Sequence, residues 1–106
     1  MPIARLRKID DYVHAHLAES ILIETLAELA EMSLFHFLRL FKQATAMTPL
    51  QFVIRERMLQ AQQLIRETPR SLIEIALEVG YTSPSHFAQV FRRTVGMVPT
   101  RFRNAL

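Results

Sequence analysis

Ser83-Pro84-Ser85-His86-Phe87-Ala88-Gln89-Val90-Phe91-Arg92-Arg93 reads as a helix with a fixed start. Ser83 is placed to accept a hydrogen bond from the first unpaired backbone N–H groups, and Pro84 suits the first helical position. Phe87, Val90, Phe91 and Val95 fall at helical spacing and are expected to face a core. The opposite face keeps Ser85, Ala88, Gln89 and Arg92, with His86 at its margin. It is small, hydrogen-bonding and basic, the character of a helix that lies in a DNA groove.

The same stretch occurs twice. Fifty positions earlier the chain reads Ser33-Leu34-Phe35-His36-Phe37-Leu38-Arg39-Leu40-Phe41-Lys42. Ser33 matches Ser83, His36 matches His86, Phe37 matches Phe87 and Phe41 matches Phe91. The match continues without a gap through Met47 with Met97, Pro49 with Pro99 and Phe52 with Phe102. Core and cap residues in phase over such a distance imply two copies of one structural unit.

Outward from these two helices, the remaining segments also read as helical. A first helix is expected from Ala4 to Leu17, with an apolar stripe through Leu6, Ile9, Tyr12 or Val13, and Leu17. Residues 18–24 form a loop that ends in the apolar lead-in Ile21-Leu22-Ile23. Thr25-Leu26-Ala27-Glu28 has the form of a capping box, which starts a short helix over Leu26 to Glu31. Met32-Ser33 turns the chain into a third helix, Leu34 to Ala44, whose core side is Phe37, Leu40, Phe41 and Ala44. Thr48-Pro49 opens a fourth helix to Glu67, about 27 Å long. Thr68-Pro69-Arg70 ends it. Ser71-Leu72-Ile73-Glu74 is a second capping box for a helix to Val79, Gly80-Tyr81-Thr82 is a turn, and Gly96 ends the sixth helix. Pro99 starts a short seventh. No alternating β-branched run is bounded by turn residues. The expectation is an all-α chain of about seven helices: a first helix-turn-helix subdomain over 1–48, a linker helix over 49–67 and a second helix-turn-helix subdomain over 68–106.

Composition narrows the function classes. The chain has 106 residues, half of them apolar, so it can bury a core. No apolar run approaches the roughly 20 residues of a membrane helix. The first eight residues lack the apolar stretch of a signal peptide. With no cysteine, thiolate metal sites, disulfides and cysteine nucleophiles are excluded. The net charge of +3 is modest but uneven: residues 1–31 carry three basic and six acidic side chains, and residues 32–106 carry ten basic and four acidic. The basic ones are nearly all arginine, whose planar fork suits phosphate and guanine. His14 and His16 lie two apart, so on a helix they point about 200° from each other and make a poor metal pair.

A short capped helix, a tight turn and a second helix with one polar face form a helix-turn-helix. Ala76 lets the second helix pack closely, and Gly80 supplies a positive φ at the turn. One such pattern is weak evidence, whereas two in phase around a long helix are strong.

The sequence resembles the AraC/XylS, or arabinose-regulator, family of bacterial transcription factors. The resemblance is carried by Leu26-Ala27 through Ser33, His36-Phe37, Arg39, Phe41-Lys42, Pro49, Phe52, Arg57, Ala61 and Leu64-Ile65. It continues in Ile75-Ala76 through Val79-Gly80-Tyr81, Ser85-His86-Phe87, Phe91-Arg92-Arg93, Gly96, Pro99 and Phe102-Arg103. It implies that each subdomain inserts its second helix into a major groove on one face of double-stranded DNA. It also implies transcription activation by contact with RNA polymerase, in the cytoplasm at the nucleoid.

The family's base-contacting positions map onto Phe35, Leu38 and Arg39, and onto Pro84, Ser85, His86 and Gln89. The faces read from the residues agree. Phe35 and Leu38 either contact thymine methyl groups or pack under a neighbouring loop. Arg39 suits guanine and Gln89 adenine. His86 either donates to a guanine acceptor or a phosphate, or caps its own helix. Ser33, Lys42, Ser83, Arg92, Arg93, Arg101 and Arg103 are the expected phosphate contacts, which set affinity rather than sequence. Arg57 serves either DNA or a structural ion pair.

The first repeat departs from the family pattern. Where the second has Gly80 and Gly96, the first has Glu31 in the turn and Ala46 after the third helix. Left-handed geometry there costs on the order of 1 kcal/mol at each position. Two rival functions make different demands. A helical adaptor that binds only protein would show little salt dependence. An enzyme lacks support: no acid pair, nucleophile–base pair, metal-ligand cluster or phosphate-cradling glycine loop is present. DNA-repair proteins with this type of domain rely on a reactive cysteine that this chain does not have. No metal, cofactor or small-molecule ligand is expected.

Overall fold

A computed structural model describes all 106 residues and contains seven helices and no strand. They are α1 (Ile3–Ala15), α2 (Ile23–Leu29), α3 (Leu34–Thr45), α4 (Pro49–Glu67), α5 (Leu72–Glu78), α6 (Pro84–Val95) and α7 (Pro99–Asn104). They form two compact units, Met1–Ile54 and Arg55–Leu106.

In the first unit, Ile9 and Val13 of α1 pack with Leu17, Leu26, Ala27, Ala30, Phe37, Phe41 and Val53. α1 ends at Ala15 rather than Leu17: His16 leaves the helical region, and its N–H donates to the Val13 carbonyl. The start of α2 corrects the expected cap. The helix begins at Ile23, Leu22 is the extended residue before it, and no side chain caps it. Thr25 lies inside the first turn, its N–H donating to the Leu22 carbonyl, so it cannot hold the extended geometry a cap needs. Ile21 and Ile23 already rest on the core, and burying them places the first turn ahead of the polar signal. Ala44, expected on the core side of α3, is exposed. Thr45 is the half-buried residue instead, its hydroxyl donating to the Phe41 carbonyl at 2.8 Å.

In the second unit, Met58, Ala61 and Ile65 of α4 are buried along with Ile75, Ala76, Val79, Tyr81, Phe87, Val90 and Phe91. The 49–67 stretch is therefore more than a linker. Phe52 and Val53 belong to the first core, and the rest of α4 is the opening helix of the second unit. A reciprocal cap starts α4: Gln51 N–H donates to Thr48 Oγ1 at 3.1 Å, and Thr48 N–H donates to Gln51 Oε1 at 3.0 Å. At α5, Ser71 Oγ accepts from the Glu74 N–H, and the Glu74 carboxylate accepts from the Ser71 hydroxyl.

The repeat holds in three dimensions. Phe37–Phe41 and Phe87–Phe91 ring centroids lie 5.5 and 5.8 Å apart. Phe41 meets Phe52 edge-on at 74°, and Phe91 meets Phe102 at 73°. The two turns are not identical. Met32 N–H donates to the Ala27 carbonyl as Tyr81 N–H does to Ala76, an offset of 49 rather than 50, so Thr82 is an extra residue in the second turn. Glu31 and Ala46 take left-handed geometry despite carrying a side chain, at φ 57° and 63°, against 94° and 103° for Gly80 and Gly96.

Candidate nucleic-acid interface

The exposed face of α6 follows from its start. Ser83 Oγ accepts from the His86 N–H at 3.1 Å, and Pro84 occupies the first turn. With that register fixed, Phe87, Val90 and Phe91 point inward, and Pro84, Ser85, His86, Gln89, Arg92 and Arg93 stay exposed. Ala88 is half-buried. The face offers two hydrogen-bonding side chains beside a serine, with arginines in the last turn, where the helix dipole favours cations.

α3 repeats the arrangement with different chemistry. Ser33 Oγ accepts from the His36 N–H at 3.3 Å. Phe37 and Phe41 are buried, and Phe35, Leu38, Arg39 and Lys42 are exposed. Phe35 is 73% exposed, so no loop of its own unit covers it. Leu38 is 42% exposed. With Arg39, Lys42, Thr48 and Pro49 they border a concavity of about 590 Å³. An apolar wall with two cations at its rim can meet thymine methyls and phosphate together. Ser33 and Ser83 use a lone pair for capping, and each hydroxyl keeps its hydrogen for an acceptor such as a phosphate oxygen.

The basic residues divide by environment. Lys42, Arg92, Arg93 and Arg101 are exposed. Arg103 is half-buried, and its fork is engaged within the unit: Nη1 donates to the Arg70 carbonyl at 2.7 Å and Nη2 to the Thr68 carbonyl at 3.4 Å. It ties α7 to the loop after α4, a role that competes with a phosphate contact. Arg70 in turn pairs with Glu78. Arg57 is buried, and its Nη1 donates to the Val79 carbonyl at 2.7 Å. Its guanidinium lies over the Tyr81 ring, 5.8 Å from the centroid. Arg57 therefore has a structural place, supporting the turn before α6. Burial lowers its pKa, partly offset by Tyr81, and raises that of the Tyr81 phenol, partly offset by Arg57.

The His86 ring does not cap α6. It stands edge-on to Tyr81, with centroids 5.3 Å apart at 71°. Sequence reading assigned Tyr81 to the turn and gave it no further part, because a ring contact across a turn has no signature in residue spacing. His14 and His16 each face their own helix: Nδ1 lies 2.9 Å from the Asp10 carbonyl and 2.8 Å from the Tyr12 carbonyl, respectively.

The helix-turn-helix architecture has counterparts among known proteins. A family model described as a helix-turn-helix domain matches residues 26–105. The probable transcriptional regulator LumQ of Photobacterium leiognathi is 40% identical over 95 residues, covering 90% of this chain and 38% of that protein. The HTH-type transcriptional activator RhaS of Enterobacter sp. (strain 638) is 35% identical over 78 residues, covering 74% and 28%. The chain thus spans well under half the length of these relatives. The DNA-binding domain of AdpA, a global transcriptional factor solved in complex with a target DNA, superposes with a TM-score of 0.88 at 38% identity, covering 95% of this chain and 91% of that one. A Chromobacterium violaceum transcriptional regulator with an AraC-type DNA-binding domain gives 0.87 at 26% identity, covering 95% and 90%.

Proposed function

This chain belongs to the AraC/XylS family of helix-turn-helix proteins, and on that premise we propose that it binds a specific double-stranded DNA sequence in bacterial transcription regulation. The observation that carries the proposal is the doubled arrangement itself. Each unit presents a serine-capped helix with an aromatic inner face and an exposed outer face that carries basic side chains, beside apolar ones on α3 and hydrogen-bonding ones on α6. α3 and α6 enter successive major grooves, about 34 Å apart along the duplex. The regulation is activation, a reading supported by the activator name of RhaS, and the family resemblance adds RNA polymerase as the contact through which it acts. The chain acts by binding and not by catalysis, in the cytoplasm at the nucleoid. No helix is long and apolar enough to cross a membrane.

Selection of bound duplexes from a random pool tests the proposal. It predicts one preferred site with two separated half-sites, bound with an affinity that falls steeply as salt rises. Recovery of no preferred sequence, or binding insensitive to salt, would overturn it in favour of a protein-only contact.

A further inference from the structure

We infer that Tyr81 is a positioning residue for sequence reading: with the Arg57 guanidinium over its ring, it fixes the His86 ring on the exposed face of α6. The inference rests on the DNA-binding reading above and adds to it a residue that touches no DNA.

Tyr81 is itself held at three points. Its N–H donates to the Ala76 carbonyl at 2.8 Å, its ring packs on Phe87 with centroids 5.7 Å apart, and the Arg57 guanidinium lies 5.8 Å from the ring centroid. Arg57 is anchored by its own bond to the Val79 carbonyl. A ring restrained in this way can restrain another. His86 is exposed, and an exposed side chain samples several rotamers and loses that freedom when it binds. The edge-on contact with Tyr81 selects one orientation in advance.

The first unit supplies an internal comparison. Met32 occupies the place of Tyr81, making the same bond back to the Ala27 carbonyl. His36, the counterpart of His86, has Phe35 as its ring neighbour at 6.1 Å, and Phe35 is itself exposed. One fold thus carries two histidines at the same helical position, and only the one in the second unit leans on a buried ring.

The test uses the full chain and the duplex it selects. Tyr81→Met gives the second turn the residue of the first, and Tyr81→Phe keeps the ring. Discrimination at one base pair of the half-site read by α6 is expected to fall roughly two- to tenfold in Tyr81→Met, the worth of one aromatic pair or one immobilised side chain. Tyr81→Phe should keep wild-type discrimination, and Tyr81→Met should have no further effect on discrimination in a His86→Ala background. Equal weakening on every sequence, or unchanged discrimination, would overturn the inference. Proton NMR of the wild-type imidazoles decides independently of how the variants fold. His86 should show ring-current-shifted resonances and single-rotamer couplings, and His36 averaged ones; matching averaged couplings would refute the restraint. If the wild type selects no sequence, the DNA-binding reading fails instead, and the NMR result still decides whether His86 is held.

Discussion

Arg39 and Arg103 carry the same charge in opposite circumstances. Arg39 projects from α3 beside two exposed apolar side chains, whereas Arg103 turns its fork back onto backbone carbonyls. Arg39→Ala should therefore cost about 1–3 kcal/mol on the preferred duplex and relax one base position. Competition binding against single-base variants of the site measures this, and an unchanged preference would remove α3 from base reading. Tyr81 carries a second expectation. Burial raises its pKa, with Arg57 opposing, so the folded value lies above the unfolded one. The neutral phenol's contribution is then complete below the unfolded pKa of about 10 and is lost as pH rises through the folded value. Urea midpoints should fall on the alkaline side of pH 10, and Tyr81→Phe should remove that part of the fall. At this scale the sequence exposed the outward face of each helix, because burial follows periodicity. It did not expose the duties of Arg103 or Tyr81, which depend on where turns bring distant atoms.

Helices with polar starts were legible to within a residue or two. α5 and α6 begin where Ser71 and Ser83 placed them, and α3 where Ser33 did. α2 was not, since its first turn is set by Ile21 and Ile23 resting on the core, and packing of that kind has no local code. The extra Thr82 in the second turn leaves little trace in the sequence for a related reason. The serines that follow each turn stay in phase and mask a one-residue difference before them. The missing glycines at Glu31 and Ala46 were visible in the sequence, but whether the backbone there turns left-handed was set only by the structure, because a residue with a side chain can avoid that region. Ala46 ends α3 at φ 63°, where Gly96 ends α6 at 103°. Ala46→Gly removes a clash worth about 1 kcal/mol, less what glycine adds to the unfolded chain. The first unit's melting temperature should rise by up to several degrees. The reverse change, Gly96→Ala, should lower that of the second unit even though no atom lies within 4 Å of the added Cβ, because the strain is in the backbone. A lower melting temperature for Ala46→Gly would show that the turn has adapted to alanine.

For the whole molecule, charge and repetition act together. The ten basic side chains of residues 32–106 outnumber four acidic ones, and several stand on the α3 and α6 faces. Arg93 is exposed in the last turn of α6, one turn beyond Gln89. Arg93→Ala should weaken all sequences about equally and reduce the slope of log affinity against log salt by about one. Reading by two heads imposes a phase requirement that reading by one does not. DNA turns once in 10–10.5 base pairs, so about five base pairs inserted between the half-sites would carry the second half-site to the opposite side of the duplex. If α3 and α6 read one side together, that insertion should reduce binding to the level of a single half-site, and two separately binding units would tolerate it. A duplex with either half-site scrambled supplies the reference. Equal affinity for the inserted and original sites would mean that the repeated units act one at a time, leaving each capped helix as a reader and removing the need for successive grooves.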